Sequence, residues 1–409
     1  MQFEQGANPS RVKAGNQAAI LKTIYLCGPI KRSEVARRLG LTLPTITTNI
    51  NSMMARGIVR ETGSERSITH FAGRKAHLVD IVPESRHFAG VEIQGMRRTV
   101  CLLDYRGKVL YQKEHTGEER EYGKNIALTC GMVDRAMSAC GLRPEDIAGI
   151  GVCLPGLVDT QQGVLEVRPS YSWTHKNIRA DMASRMNYPG PIYVENNACA
   201  RAYGAQLFRR EDLGDAQTFA YLFLNQGIAC PLVLNTAIDF GSVVGAGEVG
   251  HMVMVPNGEP CSCGNRGCLE AYASDTAVLR SCAQAIERGE APVLRRLRGE
   301  GPLSMEQVLA AQEAGEEAVA RIVGQAVHIL GVAVANINNF ACPSLMLIEG
   351  RLFSRPENWE HLLEVVRLNL CGVIRRGTRF LFVEPDPFSG AAGAAAMAIC
   401  KDLETYIEF

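Results

Sequence analysis

One stretch of this 409-residue chain constrains its folding more than any other: Gly245–Tyr272, GAGEVGHMVMVPNGEPCSCGNRGCLEAY. Nine residues separate His251 from Cys261, and Cys263 and Cys268 follow closely. One imidazole and three thiolates complete a tetrahedral set for Zn²⁺ and leave no position open for a catalytic water. Gly264 and Gly267 let the backbone fold back so that closely spaced sulfurs can face one ion. A free cysteine is more often a small core residue. The Pro, Ser, Asn, Arg and Gly around these three are not core-like, so the spacing predicts a structural zinc site on His251, Cys261, Cys263 and Cys268. Glu248 and Glu270 flank the cluster, and a bound metal would hold both carboxylates in place as candidates for touching a ligand.

The chain is long enough for two or three domains, each with its own core. Of its fourteen cysteines, the eleven outside the cluster are scattered, which fits a reducing cytoplasm rather than a disulfide framework. No apolar run approaches the length of a membrane span, and the N-terminus lacks the apolar centre of a signal peptide, so no membrane partner is expected. The zero net charge conceals an asymmetry. Residues 1–80 hold 12 Lys/Arg against 5 Asp/Glu, a balance of +7, and the remainder carries −7. A basic head on an acidic body suggests that the head alone meets nucleic acid. A merely solvated surface would not explain why the sign changes with the domain.

Within that head, Ala18, Ile20, Leu21, Ile24 and Tyr25 form a helical stripe that Gly28-Pro29 stops. Ser33 is expected to cap a short helix from Glu34 to Leu39, closed by Gly40. Thr42 can cap a third helix with Pro44 in its first turn, where a missing N–H costs nothing. Ile46, Ile50 and Met53 or Met54 would face inward, leaving Thr45, Thr47, Thr48, Asn49 and Asn51 on other faces. Ile58–Gly63 (IVRETG) and Arg66–Phe71 (RSITHF) read as the two strands of a wing. Short polar side chains near the start of a crossing helix suit major-groove readout. Pro44, Thr45, Thr47, Thr48, Asn51, Arg66 and Arg74 are therefore the candidate contacts to double-stranded DNA. Arg74 could reach the minor groove or belong to a structural turn.

From Arg86 onward strands alternate with helical stripes, an α/β pattern. Four segments in this body resemble one family. They are GIGVCLPGLVD (Gly149–Asp159), PIYVENNACARAYGA (Pro191–Ala205), GEVGH followed by CSCGNRGCLE, and GAAGAAAMA from Gly390. Together they are similar to the ROK family, which contains bacterial sugar kinases and sugar-responsive transcription factors of the NagC/XylR type. The head, down to GRKAHLVDI (Gly73–Ile81), resembles the regulator members. The resemblance implies a multidomain α+β chain in which a winged helix-turn-helix precedes an actin-like (ribonuclease-H-like) α/β body of two lobes around a cleft. The expected domains are 1–80, a first lobe 81–200 to which a C-terminal helix 386–409 returns, and a second lobe 201–385 with the zinc site.

The departures from the kinase pattern carry as much information. Where ROK kinases have Asp-x-Gly-Gly-Thr, this chain has Glu92-Ile93-Gln94-Gly95-Met96. A second glycine-rich phosphate loop appears as Asn225–Pro231, and proline has no N–H to offer a phosphate. A glycine pair that faces adenosine in the kinases is Glu349-Gly350. The catalytic Asp is Asn197, whose amide cannot act as a general base. No catalytic residue is expected. The resemblance implies that Gly156, Asn196, Asn197, Glu248, His251 and Glu270 line a sugar site, while the loop Arg168–Trp173 differs from the family's. A regulator governed by a sugar or sugar derivative, assembled as a homodimer or homotetramer, is the expected function. An ATP-dependent sugar kinase and a ligand-independent regulator are the alternatives.

Overall fold

The computed structural model describes residues 9–64, 77–216, 218–234, 244–372 and 377–406. The head begins with α1 (Pro9–Cys27), which buries Ile20, Leu21, Ile24 and Tyr25 and ends just before Gly28-Pro29. β1 (Ile30–Lys31) leads directly into α2 (Arg32–Leu39), then α3 (Leu43–Ala55), β2 (Val59–Ser64) and β3 (His77–Ile81). Ser33 does not cap α2: the helix starts at Arg32, and Lys31 stands at the cap without a side-chain hydrogen bond. The start is set by the sheet, because β1 pairs with β3 up to Lys31 and the chain must turn there. Gly40 closes α2 in the left-handed region, as expected. Thr42 Oγ1 accepts from the Thr45 N–H at 3.4 Å, and Pro44 lies in the first turn of α3. Asn49 departs from expectation. It is buried on the core side, and its Nδ2 donates to the Thr45 carbonyl at 2.8 Å, which satisfies a polar group the core would otherwise reject. The sheet order is β1-β3-β2, so the inner wing strand is His77–Ile81, at the end of GRKAHLVDI. RSITHF lies outside the described residues.

The body runs β4 (His87–Ile93), β5 (Arg97–Asp104), β6 (Val109–Thr116), α4 (Tyr122–Ala139), β7 (Ile147–Leu154), β8 (Leu157–Asp159), β9 (Val164–Arg168) and β10 (Trp173–Asn177). It continues through α5 (Ile178–Ala183), β11 (Ile192–Asn196), α6 (Asn197–Phe208), α7 (Arg210–Leu213), β12 (Thr218–Leu224), β13 (Ile228–Ala229) and β14 (Leu232–Leu234). Next come α8 (Glu270–Ala273), α9 (Asp275–Glu287), α10 (Pro292–Arg298), α11 (Met305–Glu313) and α12 (Glu317–Ala341). β15 (Leu345–Glu349), α13 (Pro356–Asn369), β16 (Arg379–Val383) and α14 (Ser389–Thr405) complete the chain. By internal contacts these elements form two units. One comprises 1–153, 178–195 and 390–409; the other comprises 154–177 and 196–389. The segment 154–177, expected in the first lobe, groups with the second.

In the first unit a sheet of order β11-β7-β4-β5-β6 carries α14 on its face. Gly90 and Gly151 make that approach possible: a Cβ on either would sit 1.9 Å from a backbone oxygen of α14. The head is fastened to the same unit. Asp80 of β3 pairs with Arg106, whose Nη1 donates to the Tyr25 carbonyl at 2.5 Å. The Tyr25 and Tyr105 rings lie 5.7 Å apart, and the Tyr105 hydroxyl donates to Asp402 Oδ2 on α14 at 2.6 Å.

In the second unit β12, β15 and β16 run parallel. One apolar cluster joins β12 and β15 to α9, α11, α12 and α13. A second, including Ala198, Ala202 and Ala205 of α6, covers the other face. α12 is long and apolar enough to cross a membrane by length and composition, which corrects the reading that no such run exists; half of that apolar window is buried inside this lobe.

Candidate nucleic-acid interface and ligand-binding face

On the head, Pro44, Thr48 and Asn51 are exposed on α3, and Thr45 and Thr47 are partly so. Residues i, i+3 and i+4 share a helix face, so Pro44, Thr47, Thr48 and Asn51 form one polar strip. The strip leaves Ile46, Ile50 and Met53 to the core. Arg66 and Arg74 lie outside the described residues. On α2, Arg37 and Arg38 both bond Glu34, at 2.6 Å and 2.8 Å. Those hydrogen bonds, Arg37's foremost, hold the Glu34 carboxyl down at about 2. Arg32 was counted in the sequence only as a charge. Its guanidinium in fact spans α3 and the wing, donating to Asn51 Oδ1 at 2.8 Å and to Glu61 Oε1 at 3.1 Å. Arg32 and Asn51 are nineteen positions apart, and nothing in the local pattern reveals the contact.

The cysteine segment of the second unit gathers its four ligand atoms. Those of His251, Cys261, Cys263 and Cys268 all lie within 4.8 Å of one another. Cys261 Sγ is 3.6 Å from His251 Nδ1, and the Cys263 and Cys268 sulfurs are 3.7 Å apart. A tetrahedron with zinc–ligand arms of about 2.0–2.3 Å has edges of about 3.3–3.8 Å, so both spacings fit that donor set. The fold-back depends on Gly267, at φ +81°, where a Cβ would lie 1.8 Å from the Val255 carbonyl oxygen. The cluster can hold a metal ion such as zinc.

Next to this cluster the second unit assembles the expected ligand residues. Asn196 caps α6, its Oδ1 accepting from the Ala198 N–H at 2.8 Å. Its Nδ2 donates to the Gly156 carbonyl at 3.0 Å and reaches Glu248 Oε1 at 3.5 Å. Burial, reinforced by the charge of Glu270, pushes Glu248 up to about 7. Glu270 Oε1 accepts from the Ser262 hydroxyl at 3.2 Å, and its other oxygen would lie 2.9 Å from a Cβ at Gly227. His251, bonded by its backbone N–H to the Glu248 carbonyl at 3.1 Å, ties this group to the cysteines. Asn197 is buried in the first turn of α6, beside Asn196.

The positions that hold nucleotide in the kinase pattern are differently furnished. In the first unit Glu92 is buried against the first turn of α14, so close that a Cβ at Gly390 would be 2.1 Å from its Oε2. In the second, Glu349 is buried at the end of β15. It accepts from Arg201 Nε at 3.1 Å and from the Tyr221 hydroxyl at 2.7 Å. The Arg201 guanidinium also lies 3.9 Å from the centroid of the Phe223 ring. The sequence showed Glu349 as a departure but not its partner, which is 148 positions away.

Comparison with known proteins adds a decisive observation. A family model described as the ROK family matches residues 88–401. The chain belongs to the ROK family. Residues 16–60 match a model described as winged helix-turn-helix DNA-binding, so this ROK protein is a transcriptional regulator with a winged head. It is 30% identical over 277 residues to the xylose repressor of Bacillus subtilis, covering 67% of this chain and 70% of that protein. It is 24% identical over 353 residues to the transcriptional dual regulator NagC of Escherichia coli, covering 85% and 83%. A crystal structure of a ROK family transcriptional regulator, a homologue of the E. coli MLC protein, superposes with TM-score 0.80 at 22% identity, covering 96% of this chain and 98% of that one. A ROK glucokinase from Streptomyces griseus, solved with glucose and AMPPNP, gives TM-score 0.64 at 24% identity, covering 76% of this chain and 98% of that one. The two-lobed α/β body after a winged helix-turn-helix is as expected.

Proposed function

We propose that this ROK regulator is a cytoplasmic repressor of carbohydrate-metabolism genes, released or engaged by a sugar or sugar derivative, with no kinase activity. The observation that carries the reading is the group around Asn196, whose amide meets the Gly156 carbonyl and the Glu248 carboxylate beside the His251–cysteine cluster. Carboxylates and amides converging beside one another suit the vicinal hydroxyls of a neutral sugar. In this reading a structural Zn²⁺ on His251, Cys261, Cys263 and Cys268 holds the Glu248–Glu270 segment, and its chemistry is structural, not catalytic. His251 gives one ring nitrogen to the metal and the other to the ligand. Glu248, Glu270, Asn196 and Gly156 then orient the hydroxyls, and Asn197, lacking a basic oxygen, holds the ligand without activating it. The relatives support the ligand class, since two of them are a xylose repressor and an N-acetylglucosamine repressor. Glu92 against Gly390 and the Arg201–Glu349 pair argue against a phosphate and a nucleotide in their usual places.

On the DNA side, Pro44, Thr45, Thr47, Thr48 and Asn51 would enter the major groove, and Arg66 and Arg74 would flank it. Two heads in a homodimer or homotetramer would read half-sites about one or two helical turns apart. The test is a thermal-shift screen of D-xylose, N-acetylglucosamine, D-glucose and their phosphates on the full-length protein. It is followed by titration of the protein's own promoter DNA with and without each hit. A hit that also shifts DNA affinity supports the reading. A screen with no hits favours the ligand-independent regulator, and turnover in a coupled assay with millimolar ATP and hexose would restore the kinase.

A further inference from the structure

We propose that Arg32 is a positioning residue for DNA readout: it fixes the Asn51 carboxamide so that the NH₂ group, not the oxygen, faces the base edges. This rests on α3 being the reading helix and deepens that assignment. A guanidinium has donors only, so the Asn51 atom 2.8 Å from Arg32 Nη1 must be the oxygen. That bond removes the ambiguity of an exposed amide, which would otherwise rotate between two orientations. The remaining polar atom of the exposed side chain is Nδ2, a donor. Donors read the major-groove acceptors of guanine (O6, N7), adenine (N7) or thymine (O4). An asparagine free to use both atoms would instead pair with adenine through N6 and N7 together. The structure thus assigns Asn51 to a base-edge acceptor.

Arg32 itself is not placed as a phosphate contact. Its Nη2 bonds Glu61 Oε1 at 3.1 Å and meets Met54 Sδ at 3.3 Å, and only 19% of its side chain is exposed. Its charge is compensated by a wing carboxylate, and its fork is spent on joining α2, α3 and β2. Arg37 and Arg38, both far more exposed, are better disposed to meet phosphates. Arg32 therefore contributes sequence discrimination rather than general affinity.

The experiment uses the full-length protein and a randomised duplex library. Wild type should enrich a motif; if it enriches none, the DNA-reading assignment itself fails and the Arg32 proposal is overturned with it. Asn51→Ala identifies the base position that loses its preference. Arg32→Ala should lose preference at that same position. Affinity for the selected duplex should fall on the order of tenfold, with a scrambled duplex bound as before. The dependence of log K on log salt should keep its slope. In an Asn51→Ala background, Arg32→Ala should have no further effect on sequence preference. Arg32→Lys, with one donor group where the fork had two, should retain part of the preference. If Arg32→Ala disturbs the head, Glu61→Gln, which leaves the fork intact but loosens it, should show the same loss in weaker form. The proposal is overturned if Arg32→Ala weakens both duplexes alike and lowers the salt slope by about one, the mark of a phosphate contact. It is also overturned if the selected motif is unchanged.

Discussion

Arg106, in the turn after β5, donates its 2.5 Å hydrogen bond to the carbonyl of Tyr25, the last buried residue on the core stripe of α1. The same guanidinium pairs with Asp80 on the inner wing strand and stacks 5.3 Å from the Tyr25 ring. One body residue thus holds a helix and a strand of the DNA-binding head. Arg106→Ala would take the cation from the Asp80 carboxylate and a donor from the Tyr25 carbonyl, a loss of about 1–3 kcal/mol. Hydrogen exchange should quicken in 9–64 and 77–81, with residues 270–370 unaffected. Protection unchanged in the head would show that Arg106 does not restrain it.

Chelation is expected to destabilise the second lobe first. With His251, Cys261, Cys263 and Cys268 within 4.8 Å of one another, binding a metal there and folding this segment would be a single process. Elemental analysis should find about one zinc per chain. Cys263→Ser should lose that metal and melt earlier than the parent. Equal stability of the two proteins without zinc in either would refute the metal site.

Glu34 restrains two cations that DNA would otherwise attract. Both Arg37 and Arg38 are bonded to its carboxylate. Glu34→Gln should tighten binding to any duplex and steepen the salt dependence, since each additional phosphate neutralised adds about 0.9 to the slope. Sequence preference should not change. A measured slope equal to that of wild type would mean that neither arginine reaches the backbone.

Asp275 supplies a pH signature. Burial raises its carboxyl from the ordinary 3.8 to about 6, only partly offset by Arg351, whose Nη1 lies 3.2 Å from Oδ2. A raised folded value means that between about pH 4 and 6 the folded chain binds more protons than the unfolded one. Stability therefore falls as pH rises through that window and levels off above it. Asp275→Asn removes this dependence. The melting temperature of wild type minus that of the variant should drop from pH 4 to pH 6 and stay flat from 6 to 8. A difference independent of pH would contradict the raised value.

Local spacing made much of the site legible. The cysteine cluster could be read because its three thiols fall within eight consecutive positions and Gly267 must sit where no Cβ fits. Helix α3 was legible because a cap, a first-turn proline and an apolar stripe of Ile46, Ile50 and Met53 all lie within thirteen residues. The same periodicity misjudged Asn49, since an amide that bonds its own helix backbone can be buried like an apolar residue. It also overlooked α12, a 25-residue helix apolar enough by composition to cross a membrane.

By itself the sequence determined which residues could act at short range: the candidate metal ligands, the Thr42 cap and the Gly40 helix end, the polar strip of α3 and an amide in place of a base at Asn197. Tertiary structure alone decided which distant segments meet. Arg32 found Asn51 and Glu61, Arg201 found Glu349, Arg106 found Tyr25 and Asp80, and His77–Ile81 became the inner strand of the wing. The physical reason is one of range. Hydrogen-bond geometry within a turn or a helical turn follows from residue order, because the backbone fixes the distance between neighbours. A contact across 19, 81 or 148 positions depends on the angles at which packed elements dock, and hydrophobic periodicity carries no record of those angles.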